Sequence, residues 1–175
     1  MIREIQEDLS KVESSSKLLI FLSNRGFQAL LFYRVSHFLF KKKIPLIPLF
    51  LTRIIQIVYS IDIDYKAQIE GGCCIVHGVG LVIGSGVVIG KNSKLYHGVT
   101  LGVSNSENNK DGFPYVGENV LIGAGAKVLG KVKIGDNSKI GANSVVLKDV
   151  PKNCIAFGIP AQYKESKNKR TLEVL

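Results

Sequence analysis

The chain has 175 residues, 46% hydrophobic and 21% charged, which excludes a disordered polymer and supplies one compact domain with a core. Glycine numbers 18, about 10% against a typical ~7%, beside only 5 prolines, so neither collagen nor a low-complexity linker fits. Lysine and arginine outnumber aspartate and glutamate 23 to 14; the net +9 suits nucleic acid, phosphorylated cofactors or anionic lipid, and charge alone does not choose among them.

The opening segment, MIREIQEDLS, is charged and lacks an apolar core, so no signal peptide is expected. Residues 1–60 read as an N-terminal helical region. Phe27, Leu31, Val35 and Phe38 recur at helix spacing, as do Ile47, Leu51, Ile54 and Val58. Lys41-Lys42-Lys43 followed by Ile44-Pro45 marks the break between these two helices. Residues 44–61 are strongly apolar, but two prolines and Arg53 interrupt a run already short of the ~20 residues of a membrane span. A buried or oligomer-facing helix is expected there, with peripheral membrane contact, aided by the lysines, as the alternative.

From residue 61 the period changes to six. Ile63, Ile69 and Ile75 keep that step, as do Ile83, Ile89, Leu95 and Leu101, and then Val116, Ile122, Val128, Ile134, Ile140 and Val146. Such a repeat is the mark of a parallel β-helix, three hexads closing one triangular coil with the aliphatic residue inward. Residues 61–162 are therefore expected to be mainly β, with Asn92, Asn137 and Asn143 at corners where φ turns positive. Residues 103–115 break the period and should protrude as a loop; residues 163–175 read as a charged tail. Cys73 and Cys74 are adjacent and Cys154 is remote, a pattern of reduced thiols in a cytoplasmic protein.

Lining up the hexads places two histidines together. His77 and His97 are each third in their hexads, so they should stack in neighbouring coils roughly 5 Å apart and could move a proton. Asp62 and Asp64 open the first coil; either could pair with a histidine, or both could be solvated acids at a helix-to-strand junction. Nothing near the cysteines predicts an activated thiol. No cluster has metal-ligand spacing and the basic residues are dispersed, so neither a metal nor a nucleic-acid partner is expected.

The run YRVSHFLFKKKIPLIPLFLTRII, followed by IDID, VHGVGLVIG, YHGVTLG, LIGAGAKVLG, KIGANSVVLKDVP and AFGIPAQ, resembles the serine O-acetyltransferases, a group of hexapeptide-repeat acyltransferases. The resemblance implies a left-handed winding and a homotrimer with acetyl-CoA as co-substrate in the groove between subunits. It implies that His77 deprotonates the acceptor hydroxyl and that Asp62 is its partner. By the same correspondence Gly102, Ala124 and Ala142 line the cofactor groove, and Lys148 resembles a lysine placed near the CoA phosphates. The family's aspartate before the catalytic histidine is Val76 here, and its Arg-His-Pro at the loop exit is Gly112-Phe113-Pro114. A zwitterion left without charged partners is costly to bind. The pattern is therefore closer to the branch that acetylates sugars in surface-polysaccharide synthesis, and the expected acceptor is a saccharide hydroxyl contacted by His97 and Phe113. L-serine of cysteine biosynthesis is the alternative, and a non-catalytic β-helix scaffold is the third reading.

Overall fold

The computed structural model describes residues 1–12, 16–104 and 112–165. Among the described residues four helices, α1 (Ile2–Ser10), α2 (Lys17–Ser23), α3 (Arg25–Lys41) and α4 (Ile47–Tyr59), precede a parallel β-solenoid of about four turns. Strands Asp62–Ile63, Val82–Ile83, Thr100–Gly102, Lys127–Leu129 and Val145–Val146 stack as the first face. Gln68–Ile69, Val88–Ile89, Tyr115–Val116 and Lys133–Ile134 form the second. Cys74–Val76, Lys94–Tyr96, Leu121–Ile122, Lys139–Ile140 and Cys154–Gly158 form the third.

The register follows the hexads. Ile63, Ile83, Leu101, Val128 and Val146 pair in one ladder, and Ile75, Leu95, Ile122, Ile140 and Ala156 in another. All ten are buried, and fully burying one such aliphatic side chain is worth roughly 1.5–3 kcal/mol. A second inward column lies two residues earlier, where Leu81, Val87, Val99 and Val120 alternate with buried hydroxyls. Ser93 Oγ donates to the Gly117 carbonyl at 3.0 Å and accepts from Val120 N–H at 3.2 Å, so no polar atom is orphaned there. Asn92, Asn137 and Asn143 have φ of 58°, 58° and 55°, the left-handed corners that their side chains tolerate.

Strand Ala161–Glu165 turns back antiparallel on Cys154–Gly158, covering what would be a bare edge. Residues 163–165, assigned to the tail by composition, complete this strand, and residues 166–175 lie outside the described residues. Most of the protruding loop, residues 105–111, also lies outside them.

The helices close the open end of the first coil. Asn24 Oδ1 accepts from Phe27 N–H at 2.9 Å and caps α3. A Cβ on Gly26 would meet the Ile75 carbonyl oxygen at 2.1 Å, so only glycine lets α3 approach this strand so closely. Tyr33 Oη donates to the Ala67 carbonyl at 2.7 Å, and Arg34 reaches the carbonyls of Ile69 and Glu70. Asp8 at the end of α1 takes both Arg34 Nε (3.0 Å) and Nη2 (3.1 Å), and accepts from Cys73 N–H at 3.0 Å.

The faces that pack are not those read from spacing. Gly26, Phe27, Ala29, Leu30, Tyr33, Arg34 and Ser36 form the buried side of α3, while Val35 and Phe38 are exposed. In α4 the buried residues are Pro48, Thr52 and Ile55, and the expected stripe opens outward at Ile47 and Val58. In α3 polar and apolar residues are mixed around the helix, and in α4 Thr52 is buried while Ile47 and Val58 are exposed, so periodicity alone does not select the inner side.

His37 Nδ1 lies 2.8 Å from the Tyr65 carbonyl and its ring stacks on Tyr33 at 5.6 Å between centroids. Burial holds its pKa below the usual imidazole range, with the carbonyl acting in the opposite sense. The unfolded chain takes up this proton near its ordinary ~6.5 while the folded chain resists it, so stability present above that pH is lost as the pH falls through and below it. Thermal melts should therefore show a lower midpoint at pH 5.5 than at pH 7.5, and His37→Gln should flatten that dependence. A wild-type midpoint insensitive to pH in this window would contradict the assignment.

Candidate active site

The two histidines sit at the corner between the third and first faces. Val76 and Tyr96 are in register, and the ring centroids of His77 and His97, the next residues, lie 5.9 Å apart at an interplanar angle of 66°. Both are exposed in the single chain. His77 has φ 63°, a left-handed conformation tolerated better by His than by a branched residue, and the turn that follows passes through Gly78 and Gly80. Such backbone outliers recur at functional sites.

Asp62 stands on the first strand of the first face, half-buried, with its N–H donating to the Leu81 carbonyl at 2.8 Å. Ile61, beside it, fills the space where Gly78 would carry a Cβ, so Asp62 and His77 flank one corner of the solenoid. Among the described residues no hydrogen bond or ion pair joins their side chains. Asp64 is occupied elsewhere: its Oδ1 accepts from Lys66 N–H at 2.8 Å and closes a turn. Of the two acids, Asp62 is the one left free of such a local bond.

Sequence reasoning missed Lys127. Its Nζ donates to the Gly98 carbonyl at 2.6 Å and to Thr100 Oγ1 at 3.0 Å, tying down the chain immediately after His97. The signal was the lysine of GAGAKVLG, an outward strand position facing the coil that carries His97.

The four expected cofactor positions divide between two faces. Ala124 and Ala142 share a groove of about 620 Å3 on the third face, lined also by Tyr96, Phe157, Lys139 and Lys164. Lys164 Nζ lies 5.2 Å from the centre of the Phe157 ring. Gly102 ends a first-face strand and opens onto empty space, with no atom within 4 Å of where a Cβ would stand. Lys148 is exposed just beyond the last strand of that same face.

Phe113 is partly buried rather than free. Its ring lies over Gly84 and Gly86, where added Cβ atoms would meet it at 3.0 and 2.2 Å, and it packs against the core. Gly112 has φ 75°, a conformation that an L side chain rarely adopts. Burial pushes the pKa of Cys73 and of Cys154 up, which keeps these two thiols neutral.

Residues 113–148 match the family model for the bacterial transferase hexapeptide (six repeats), and residues 80–103 the hexapeptide repeat of succinyl-transferase. The chain is 41% identical over 160 residues to the serine acetyltransferase of Helicobacter pylori strain 26695, covering 91% of both chains. It belongs to the serine acetyltransferase family. The serine acetyltransferase of Synechococcus elongatus is 42% identical over 143 residues; this spans 82% of the present chain but 58% of that relative. Several curated family members are thus much longer than this chain. Among solved structures, the Neisseria gonorrhoeae serine acetyltransferase superposes with a TM-score of 0.90 at 33% identity, covering 98% of this chain and 68% of its own. The Brucella abortus serine acetyltransferase in complex with coenzyme A gives 0.89 at 33%, covering 95% and 68%.

These relatives overturn the saccharide acceptor and the surface-polysaccharide branch expected from Val76, Gly112 and Phe113. The reason is local. Gly112 takes a left-handed turn and Phe113 covers Gly84 and Gly86, so both have a structural role apart from any acceptor; nothing in the structure explains Val76.

Proposed function

We propose that the protein is an acetyl-CoA-dependent serine O-acetyltransferase, in line with the activity named for relatives that it matches over nearly its whole length. The observation that carries the reading is the His77–His97 pair beside Asp62, on a scaffold whose Neisseria counterpart has also been solved in complex with serine. His77 takes the proton from the serine hydroxyl as its oxygen attacks the thioester carbonyl; the tetrahedral adduct collapses, the carbon–sulfur bond breaks, and the proton passes to the departing CoA thiolate. Asp62 stabilises the imidazolium formed in between. His97, across the pair, hydrogen-bonds the acceptor.

Gly102, Ala124, Ala142 and Lys148 are assigned to acetyl-CoA. One chain places them on two faces, so a homotrimer that brings the first face of one chain against the third face of the next would complete the groove. The Brucella relative bound to coenzyme A supports the choice of cofactor. A cytoplasmic setting fits the three free thiols and the donor. Light scattering should then give the mass of three 19.1 kDa chains. Ala142→Glu, which sets a carboxylate in the groove against a polyanionic cofactor, should weaken acetyl-CoA binding at least about tenfold by calorimetry. Product analysis by mass spectrometry should show O-acetylserine; unchanged cofactor affinity in the variant would remove Ala142 from the site.

A further inference from the structure

The outer face of α4 is as apolar as its inner one. Leu46, Phe50, Ile57 and Val58 are 78, 65, 81 and 62% exposed, and among residues 41–50 only Pro48 is buried. Leu46 and Lys43 hold φ of 63° and 59° in the turn before α4, conformations uncommon for such side chains. Beside this turn lies an open hollow of about 390 Å3, lined by Phe40, Ile44, Leu46, Leu49 and Tyr65 with Lys43 at the same site.

The charge around this surface is one-sided. Residues 14–61 contain no aspartate or glutamate, yet carry Lys17, Arg25, Arg34, Lys41, Lys42, Lys43 and Arg53. Arg34 is buried against Asp8, whereas Arg25, Lys41, Lys42, Lys43 and Arg53 are exposed. A two-fold copy of this patch would set cations against cations with no acid from this segment to offset them. Glu4 of α1 lies within electrostatic reach of Lys41, but among the described residues no ion pair engages Lys42, Lys43 or Arg53, and apolar side chains set among such cations match an anionic lipid surface. No described helix is long and apolar enough to cross a membrane, and α4, with 13 residues at 1.5 Å each, is about 20 Å long against a ~30 Å hydrocarbon core.

We propose that the α3–α4 turn and the outer face of α4 dock on an anionic membrane surface, with Leu46, Phe50 and Ile57 in the headgroup–acyl boundary and Lys41–Lys43 against lipid phosphates. This is independent of the acetyl-transfer reading and is tested without an activity measurement. The full chain is sedimented with vesicles of phosphatidylcholine alone and of phosphatidylcholine mixed with phosphatidylserine, at low and at high salt. Binding is expected to the mixed vesicles, reduced by salt. The triple variant Lys41→Glu/Lys42→Glu/Lys43→Glu and the double variant Phe50→Ser/Ile57→Ser should each weaken it at least about tenfold while keeping the wild-type melting point and oligomer mass. No binding of the folded wild type to the mixed vesicles, or equal binding to phosphatidylcholine alone, would overturn the proposal. So would a change in oligomer mass in the Phe50→Ser/Ile57→Ser variant, which would make the patch a contact between subunits.

Discussion

His77→Ala is expected to lower the rate of acetyl transfer by about 10²–10⁴, the usual contribution of a positioned general base, while acetyl-CoA affinity and melting point stay near wild type. His77 is exposed on a turn, so truncating it removes no core contact. His97→Ala should cost less, because a hydrogen bond to the acceptor is lost while the base remains. Its effect should fall mainly on KM for the acceptor. The pair of variants therefore separates the two imidazoles by kinetic signature. Full activity in His77→Ala would remove it as the base.

The largest effect on stability is expected at Asp8. Asp8→Ala leaves the Arg34 guanidinium, 3% exposed, with the carbonyls of Ile69 and Glu70 and only the half-exposed Glu4 carboxylate at 4.0 Å as counter-ion, and it strips Cys73 N–H of its acceptor. Removing one partner of a buried pair typically costs 3–5 kcal/mol, read here as a shift in the urea unfolding midpoint. The double variant Asp8→Met/Arg34→Met should recover much of that loss, because a buried pair replaced by apolar groups of similar volume is often near neutral. If Asp8→Ala unfolds at the wild-type midpoint, α1 is not anchored to the solenoid through this contact.

The solenoid was legible because its signal repeats: one inward aliphatic residue per hexad fixes both burial and register, and although Ile75 and Ile83 stand eight rather than six positions apart, His77 still meets His97. The Asn corners were legible for the same reason, since few residues tolerate φ near 58°. The helices were legible as helices, but their packed sides were not. In α4 the inner side, Pro48, Thr52 and Ile55, is set by what meets the first coil, and that contact has no period in the sequence. Asp8 and Arg34 are 26 positions apart with no motif between them. Lys127 was hidden because its bond to the Gly98 carbonyl joins adjacent coils. The acceptor is not legible for a related reason: the absence of the family's charged side chains at positions 76 and 112–113 does not by itself mark a change of substrate. In the folded chain Gly112 serves a left-handed turn and Phe113 covers Gly84 and Gly86.

The central claim, acetyl transfer to serine at the His77 corner, is tested most directly by the steady-state rate of CoA release from acetyl-CoA as L-serine is varied. The account predicts a serine-dependent, saturable rate in the wild-type protein that collapses in His77→Ala. A folded wild-type protein that binds acetyl-CoA but releases CoA no faster with serine than without it would contradict the account.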